Sequence, residues 1–239
     1  MESFNGIVIE DDQTVDQRVD IRNLQVYGNA IFREEVEADE IEVFGTARFR
    51  EFVSFDRLEV HGAATALREM LGESVKVEGV LNVSGRFRAD VVVVDGLLTT
   101  QGKYSGANII VRAKGRLEAF RDMKAVKYII NGAAYSGAAF RGETVEIASC
   151  ERSELARIVC SDLKVKYRPR GDVPGIEEGN YILSSYFIDT QNAELEYVAA
   201  DKVECDNAYI GPFCRIGELV YRHDIEIDDR AVVERLYRI

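Results

Sequence analysis

The sequence predicts an all-β chain wound as a three-sided β-solenoid with coils of about 17 residues. Three observations carry the prediction. Gly28, Gly45, Gly62, Gly79 and Gly96 are evenly spaced, one coil length apart. Each ends a short β-forming segment: LQVYG, IEVFG, LEVHG, VKVEG and VVVDG. Around each glycine, apolar or small residues recur in pairs two apart, the period of a strand with one buried face.

The first pair precedes the glycine. It holds Leu24, Ile41, Leu58, Val75 and Val92, then Val26, Val43, Val60, Val77 and Val94. The second pair follows it, with Ala30, Ala47, Ala64, Leu81 and Leu98, then Phe32, Phe49, Ala66, Val83 and Thr100. The third pair holds Val36, Val53, Met70, Phe87 and Tyr104, then Ala38, Phe55, Gly72, Ala89 and Gly106. Three short strands per repeat, with a bend after each, make a three-sided coil. Coils stack at the inter-strand spacing of roughly 4.8 Å, and no coil can bury its own face alone.

The pattern extends both ways. One repeat back, the inward slots hold Ile7, Ile9, Gln13, Val15, Val19 and Ile21, of which only Gln13 is a mismatch. Forward, Gly115 comes later than the beat from Gly96 requires, a two-residue slip, and assigns Val111, Ala113, Leu117, Ala119, Met123 and Ala125 inward. Gly132 restores the regular interval, with Tyr128, Ile130, Ala134, Ser136, Phe140 and Gly142. VEI at 145–147 and LKV at 163–165 keep the beat. TALREML at 65–71 contains helix formers but lies in register and is read as strand.

Residues 168–180, RPRGDVPGIEEGN, break the rhythm with two prolines and three glycines. The expected organisation is a main solenoid over 1–167, a loop or hinge over 168–186, and a C-terminal solenoid section over 187–239. In that section Val203 and Cys205, Ala208 and Ile210, Cys214 and Ile216, and Ile225 and Ile227 alternate inward. It either continues the first stack or folds back beside it.

Composition excludes several classes. The chain has 239 residues and a formal net charge of −12, so nucleic acid is not an expected partner. A local basic patch is confined to Lys164, Lys166, Arg168 and Arg170. The cysteines Cys150, Cys160, Cys205 and Cys214 form no CxxC pair, and Cys205 and Cys214 read as small core residues. MESFNGIVIEDD does not resemble a secretory signal, and no apolar run approaches the length of a membrane span. Cytoplasmic location with reduced thiols is expected.

No catalytic, metal or cofactor residue is assigned. A hexapeptide-repeat acyltransferase would need a catalytic histidine, and a zinc hydratase of similar architecture three histidine ligands. The two histidines are His61, in an outward slot, and His223, in VYRHDIEID near the C-terminus. Both read as surface residues. Glu34, Glu35, Glu37, Asp39 and Glu40 sit at corners and outward slots, as a solvated face rather than paired carboxylates. GKYSGAN at 102–108 lacks the order of a phosphate loop. Tyr27, Phe44 and His61 share the outward slot beside the glycine and should form a column. It is either an interaction surface or a stack that stabilises the sheet.

The short β-coils, the xVxG beats and the missing catalytic set resemble the bactofilin family of polymer-forming cytoskeletal proteins. The segment AADKVECDNAYIGPFCRIGELVY at 199–221 is similar to the C-terminal part of longer bactofilin-like cytoplasmic proteins, where an acidic strand precedes a GPxCxIG beat. The resemblance implies a right-handed parallel β-helix that joins end to end into nonpolar, nucleotide-independent filaments. The chain is longer than a minimal member and lacks the long N-terminal tail by which many members touch membrane. Neither end shows a helical or proline-rich cap. The expected joining edges are Phe4, Ile7 and Ile9 at one end and Leu236, Tyr237 and Ile239 at the other. The expected function is therefore a self-assembling scaffold, with itself and other proteins as partners and peripheral membrane contact left open. The alternatives are a left-handed, acyltransferase-like trimer and a monomeric solenoid binding module.

Overall fold

The computed structural model describes residues 6–169 and 179–239. The described chain is all-β, without a helix, and its strands pair in parallel as β-solenoid coils, about 13 in all. Two compact units divide it, Met1–Ala107 and Asn108–Ile239.

The first unit keeps a constant step. On one face Gly6 pairs with Asn23, Asn23 with Glu40, Glu40 with Arg57, Arg57 with Ser74 and Ser74 with Val91. On the next, the row runs Gln13, Ala30, Ala47, Ala64, Leu81 and Leu98. On the third it runs Val19, Val36, Val53, Met70, Phe87 and Tyr104. The third and first faces belong to one eight-residue strand, such as Val36–Val43, that bends at Asp39, where the pairing skips a residue.

The corner glycines are required by close approach. A Cβ on Gly62 would lie 2.1 Å from the carbonyl oxygen of Gly45, and one on Gly45 would lie 2.1 Å from that of Gly28. The chain packs so tightly here because both corner amides turn toward the coil below. Phe44 N–H and Gly45 N–H both donate to the Val26 carbonyl, at 2.8 and 2.9 Å.

The expected inward slots form the core. Every inward residue named above in the five glycine-marked coils is buried, except Gly72 and Gly106, which are partly exposed. Those two glycines make room for rings. A Cβ at Gly72 would strike the Phe55 ring at 2.0 Å, and one at Gly106 would meet the Tyr104 hydroxyl at 2.1 Å. Phe32 and Phe49 stack inside the coil at 5.1 Å. Tyr104 is buried, and its hydroxyl donates to the Ala89 carbonyl at 2.8 Å, satisfying the polar atom. In the first coil Ile9, Val15 and Val19 are buried, Ile7 and Ile21 are partly so, and Gln13 is exposed. TALREML lies in the strands Ala63–Ala66 and Met70–Val77 with a corner between them.

The second unit varies its step. Asn108–Val111 pairs with Lys127–Ile130, a longer step than in the first unit, while Arg116–Ala119 pairs with Ala133–Ser136 at the regular one. The two extra residues therefore lie in the corner 112–115, where Gly115 N–H donates to the Arg112 carbonyl at 2.7 Å. This corrects the inward pair of that coil. Ile109 and Val111 fill it, and Ala113 is exposed on the turn.

Strand Ser153–Tyr167 pairs with Leu183–Leu195, Ser153 opposite Leu183 and Val165 opposite Leu195. The C-terminal section thus continues the stack of its unit, and strand begins at Leu183, inside the span expected as loop. Leu183 and Ser185 are both buried there. The step then shortens by two residues, Leu183 to Val198, and next by one, Ala199 to Arg215. The regular step returns from Arg215 to Val232. The shortening comes from the second corner. In unit 1 it needs three residues, such as 33–35. In unit 2 a single residue turns it: Ala156, Tyr186, Asp201 or Gly217, each skipped in the pairing.

Candidate functional site

The expected joining edges differ in exposure. Phe4 lies outside the described residues. Ile7 is partly exposed and Ile9 is buried in the strand Gly6–Ile9. The strands Ile225–Ile227 and Val232–Arg238 pair on one side only among the described residues. Leu236 and Tyr237 are each 48% exposed and Ile239 is 71% exposed. Val232 and Ile227 are exposed beside them. Leu236 stands opposite the buried Leu219, so it occupies a core column that no further coil covers among the described residues. The apolar fringe is thus broader than the three residues expected there. Ile227 reads from the sequence as an inward strand residue, and Val232 carries no pattern that marks it as an edge.

The column Tyr27, Phe44 and His61 forms as expected. The Tyr27 and Phe44 rings stack at 4.7 Å and 5°, and Phe44 and His61 at 4.8 Å and 9°. One coil step sets this spacing. The ring faces are spent on one another, so solvent meets mainly their edges, although Tyr27 remains 49% and Phe44 39% exposed. His61 Nδ1 lies 2.7 Å from a Glu78 carboxylate oxygen, and Nε2 lies 3.4 Å from Glu59. Arg57 pairs with Glu59, and Lys76 with Glu78 at 2.5 Å. The hydrogen bonds from Lys76 and then His61 hold the Glu78 carboxyl below its usual range. The ladder is therefore a stabilised stack with an ionic border. Among the described residues no ring covers the outer face of Tyr27.

His223 is exposed and makes a backbone bond to the Asp206 carbonyl. Glu34, Glu35, Glu37, Asp39 and Glu40 are exposed, and Arg18 pairs with Glu35 and Glu37. In the basic patch, Lys164 and Lys166 both turn onto Glu194, whose hydrogen bond holds the Lys166 ammonium above its usual value. Arg170 lies outside the described residues. Among the described residues no three His, Cys, Asp or Glu side chains cluster as a metal site, and no helix is long and apolar enough to cross a membrane.

Cys160, Cys205 and Cys214 are buried and unpaired, and Cys150 is half-buried. Burial pushes the thiols of Cys160 and Cys205 up to about 11 and that of Cys214 up to about 12. Such thiols are neutral and inert at neutral pH.

Three features escape sequence reading. Asn192 donates to Asp162 at 2.9 Å and Asn207 donates to Asn192 at 3.0 Å, an amide ladder on the outer face. Its members are 30 and 15 residues apart, so no fixed period reveals them. Tyr167, Tyr197 and Phe213 form a second aromatic column, with Arg230 over Phe213. Tyr197 and Phe213 have positive φ, 55° and 59°. The third feature is a groove of about 700 Å³ at the single-residue corners of unit 2. Comparison of the chain with protein-family models, curated proteins and solved structures finds no match in any of the three.

Proposed function

We propose that this chain is a non-enzymatic structural scaffold, bactofilin-like, whose copies join end to end into nucleotide-independent polymers in the cytoplasm. The observation that carries the reading is the coil formed by Ile225–Ile227 and Val232–Arg238, with Leu236, Tyr237 and Ile239 exposed on it. Strands paired on one side offer a row of N–H and C=O groups to another strand. Here that row carries an apolar fringe. Covering one Leu or Ile side chain completely contributes about 1.5–3 kcal/mol. A second copy supplies both requirements at once, strand edges by β-augmentation and inward apolar columns of the same kind. Its sides would remain free for other protein partners.

The test is sedimentation velocity across concentration, with electron microscopy of the same samples. Wild-type chain should give open-ended polymers. Leu236→Glu and Tyr237→Glu should reduce them to single copies, and Ile7→Glu tests the other edge. Leu236 and Tyr237 are half-exposed, and an unchanged far-ultraviolet circular dichroism spectrum of each variant shows that loss of assembly is not loss of fold. Assembly that survives every one of these changes would overturn end joining. Trimers at all concentrations would favour the acyltransferase-like alternative, and single copies at all concentrations a binding module.

A further inference from the structure

The groove of unit 2 owes its shape to the shortened coils. The row Tyr135, Glu154, Ser184, Ala199 and Arg215 crosses five coils on one face. Its middle members are small and its outer members large, which leaves a trough along the stack. At roughly 4.8 Å per step the row is about 19 Å long. The adjoining single-residue corners hold Ala156, Tyr186, Asp201 and Gly217. A Cβ on Gly137, at the upper end, would meet nothing within 4 Å.

The lining has a specific chemistry. Tyr186 is 71% exposed, and among the described residues no ring stacks on it. An exposed, unstacked tyrosine beside a concave floor is a platform for a flat apolar face. Tyr135 has one ring face covered by the Arg116 guanidinium at 4.4 Å, which fixes its plane. The polar rim is held in place by ion pairs, Arg152 with Glu154 at 3.1 Å and Arg215 with Glu234 at 3.3 Å. These pairs are solvent-exposed and carry little net charge, and they offer donors and acceptors along the rim. Asp201 has no cation partner among the described residues and adds an acceptor beside Tyr186.

The occupant follows from what the groove can and cannot do. Its strands are paired on both sides, Glu154 with Tyr135 and Ser184, and Ala199 with Ser184 and Arg215. No strand edge is open there, so a peptide cannot be bound by strand addition. Recognition rests on side chains alone. A phosphate-rich ligand would need free cations, and the two arginines are already paired. We propose that this groove binds a linear, uncharged oligosaccharide, with sugar hydroxyls on the ion-paired rim and Asp201, and a sugar face on Tyr186. The proposal is independent of end-to-end assembly, because the groove lies on the side of the coils.

The experiment is isothermal titration calorimetry of the full chain against three probes. They are hexamers of β-1,4-linked glucose, hexamers of β-1,4-linked N-acetylglucosamine, and decalysine. At least one neutral hexamer should bind, and at least tenfold more tightly than its own dimer. Tyr186→Ala should weaken that binding tenfold or more, and Ala199→Arg, which fills the floor, should abolish it. Both positions face solvent or the trough, and an unchanged thermal midpoint confirms the fold. The proposal is overturned if neither hexamer binds at millimolar concentration, if both variants bind as wild type does, or if decalysine alone binds.

Discussion

The two units solve the same packing problem in different ways. In Met1–Ala107 the paired strands repeat at one constant step, and a glycine stands at the corner of each glycine-marked coil. In Asn108–Ile239 that step is lengthened at Asn108 to Lys127 and shortened at Leu183 to Val198 and Ala199 to Arg215. Aromatic residues replace glycine at two of its corners. The constant step aligns like with like. Leu24, Ile41, Leu58, Val75 and Val92 make one continuous buried column. Across the variable step an apolar column also persists, Ile158, Ile188, Val203 and Leu219, but polar residues enter other inward slots. Thr190 is buried opposite Cys160 and Cys205, with its hydroxyl donating to the Ser161 carbonyl at 3.0 Å. The same variation leaves the groove and the amide ladder on the outer surface. Regularity thus serves stability, and departures from it supply surface relief for recognition.

The sharpest way to break this comparison is at the glycines. Gly62→Ala places a Cβ 2.1 Å from a backbone oxygen that cannot move aside. The expected cost is about 3 kcal/mol, the upper range of overpacking, and Gly62→Val should cost more. Gly137→Ala in the second unit meets open space and should change stability by less than about 0.5 kcal/mol. Urea unfolding followed by far-ultraviolet circular dichroism measures both. Equal effects would mean that the tight corner is not what the glycine beat encodes.

A second contrast is chemical. All four cysteines lie in the second unit. The thiols of Cys160 and Cys205 titrate near 11 and that of Cys214 near 12 in the folded chain, raised by burial. The unfolded value is about 8.5. The folded state therefore holds more protons between these limits, and stability falls as pH rises. It should be flat below about pH 8 and decline from about pH 9 to 12. Replacing all three by alanine should lower stability at neutral pH but flatten the alkaline decline, which urea midpoints across pH will show. A decline that persists unchanged in the triple variant would assign it to other groups.

How much of this was readable beforehand depended on the step. Leu58, Val60 and Ala64 could be placed inward because their neighbours one coil away agree. Tyr27, Phe44 and His61 could be stacked for the same reason. Ala113 was misplaced because a glycine spacing locates an insertion only to within a coil, and the extra residues lay after the strand rather than before it. Leu183 and Ser185 do not stand out as strand in the sequence, because serine in an inward slot breaks the apolar beat. Asp162, Asn192 and Asn207 were invisible as a ladder because their separations include an insertion and a shortened coil. The groove was invisible for a related reason. It arises from which corners are shortened, a property of the paired strands and not of any one segment.

A finer contrast concerns Tyr197, where an aromatic residue stands at a corner in the left-handed conformation. Its φ of 55° lies in that region, which costs a residue with a Cβ roughly 1–2 kcal/mol. Its ring lies between those of Tyr167 and Phe213, at 5.3 and 4.9 Å, and each such contact contributes about 0.5–1.5 kcal/mol. The strain and the stacking therefore nearly cancel. Tyr197→Gly removes both and should change stability by about 1 kcal/mol or less, within the spread of those two ranges. Tyr197→Ala removes the stacking but keeps the strain, so it should be about 1 kcal/mol less stable than Tyr197→Gly. The difference between the two variants, read from urea midpoints at constant slope, isolates the backbone contribution. If alanine proves as stable as glycine, the corner is unstrained, and the aromatic column alone explains why tyrosine stands there.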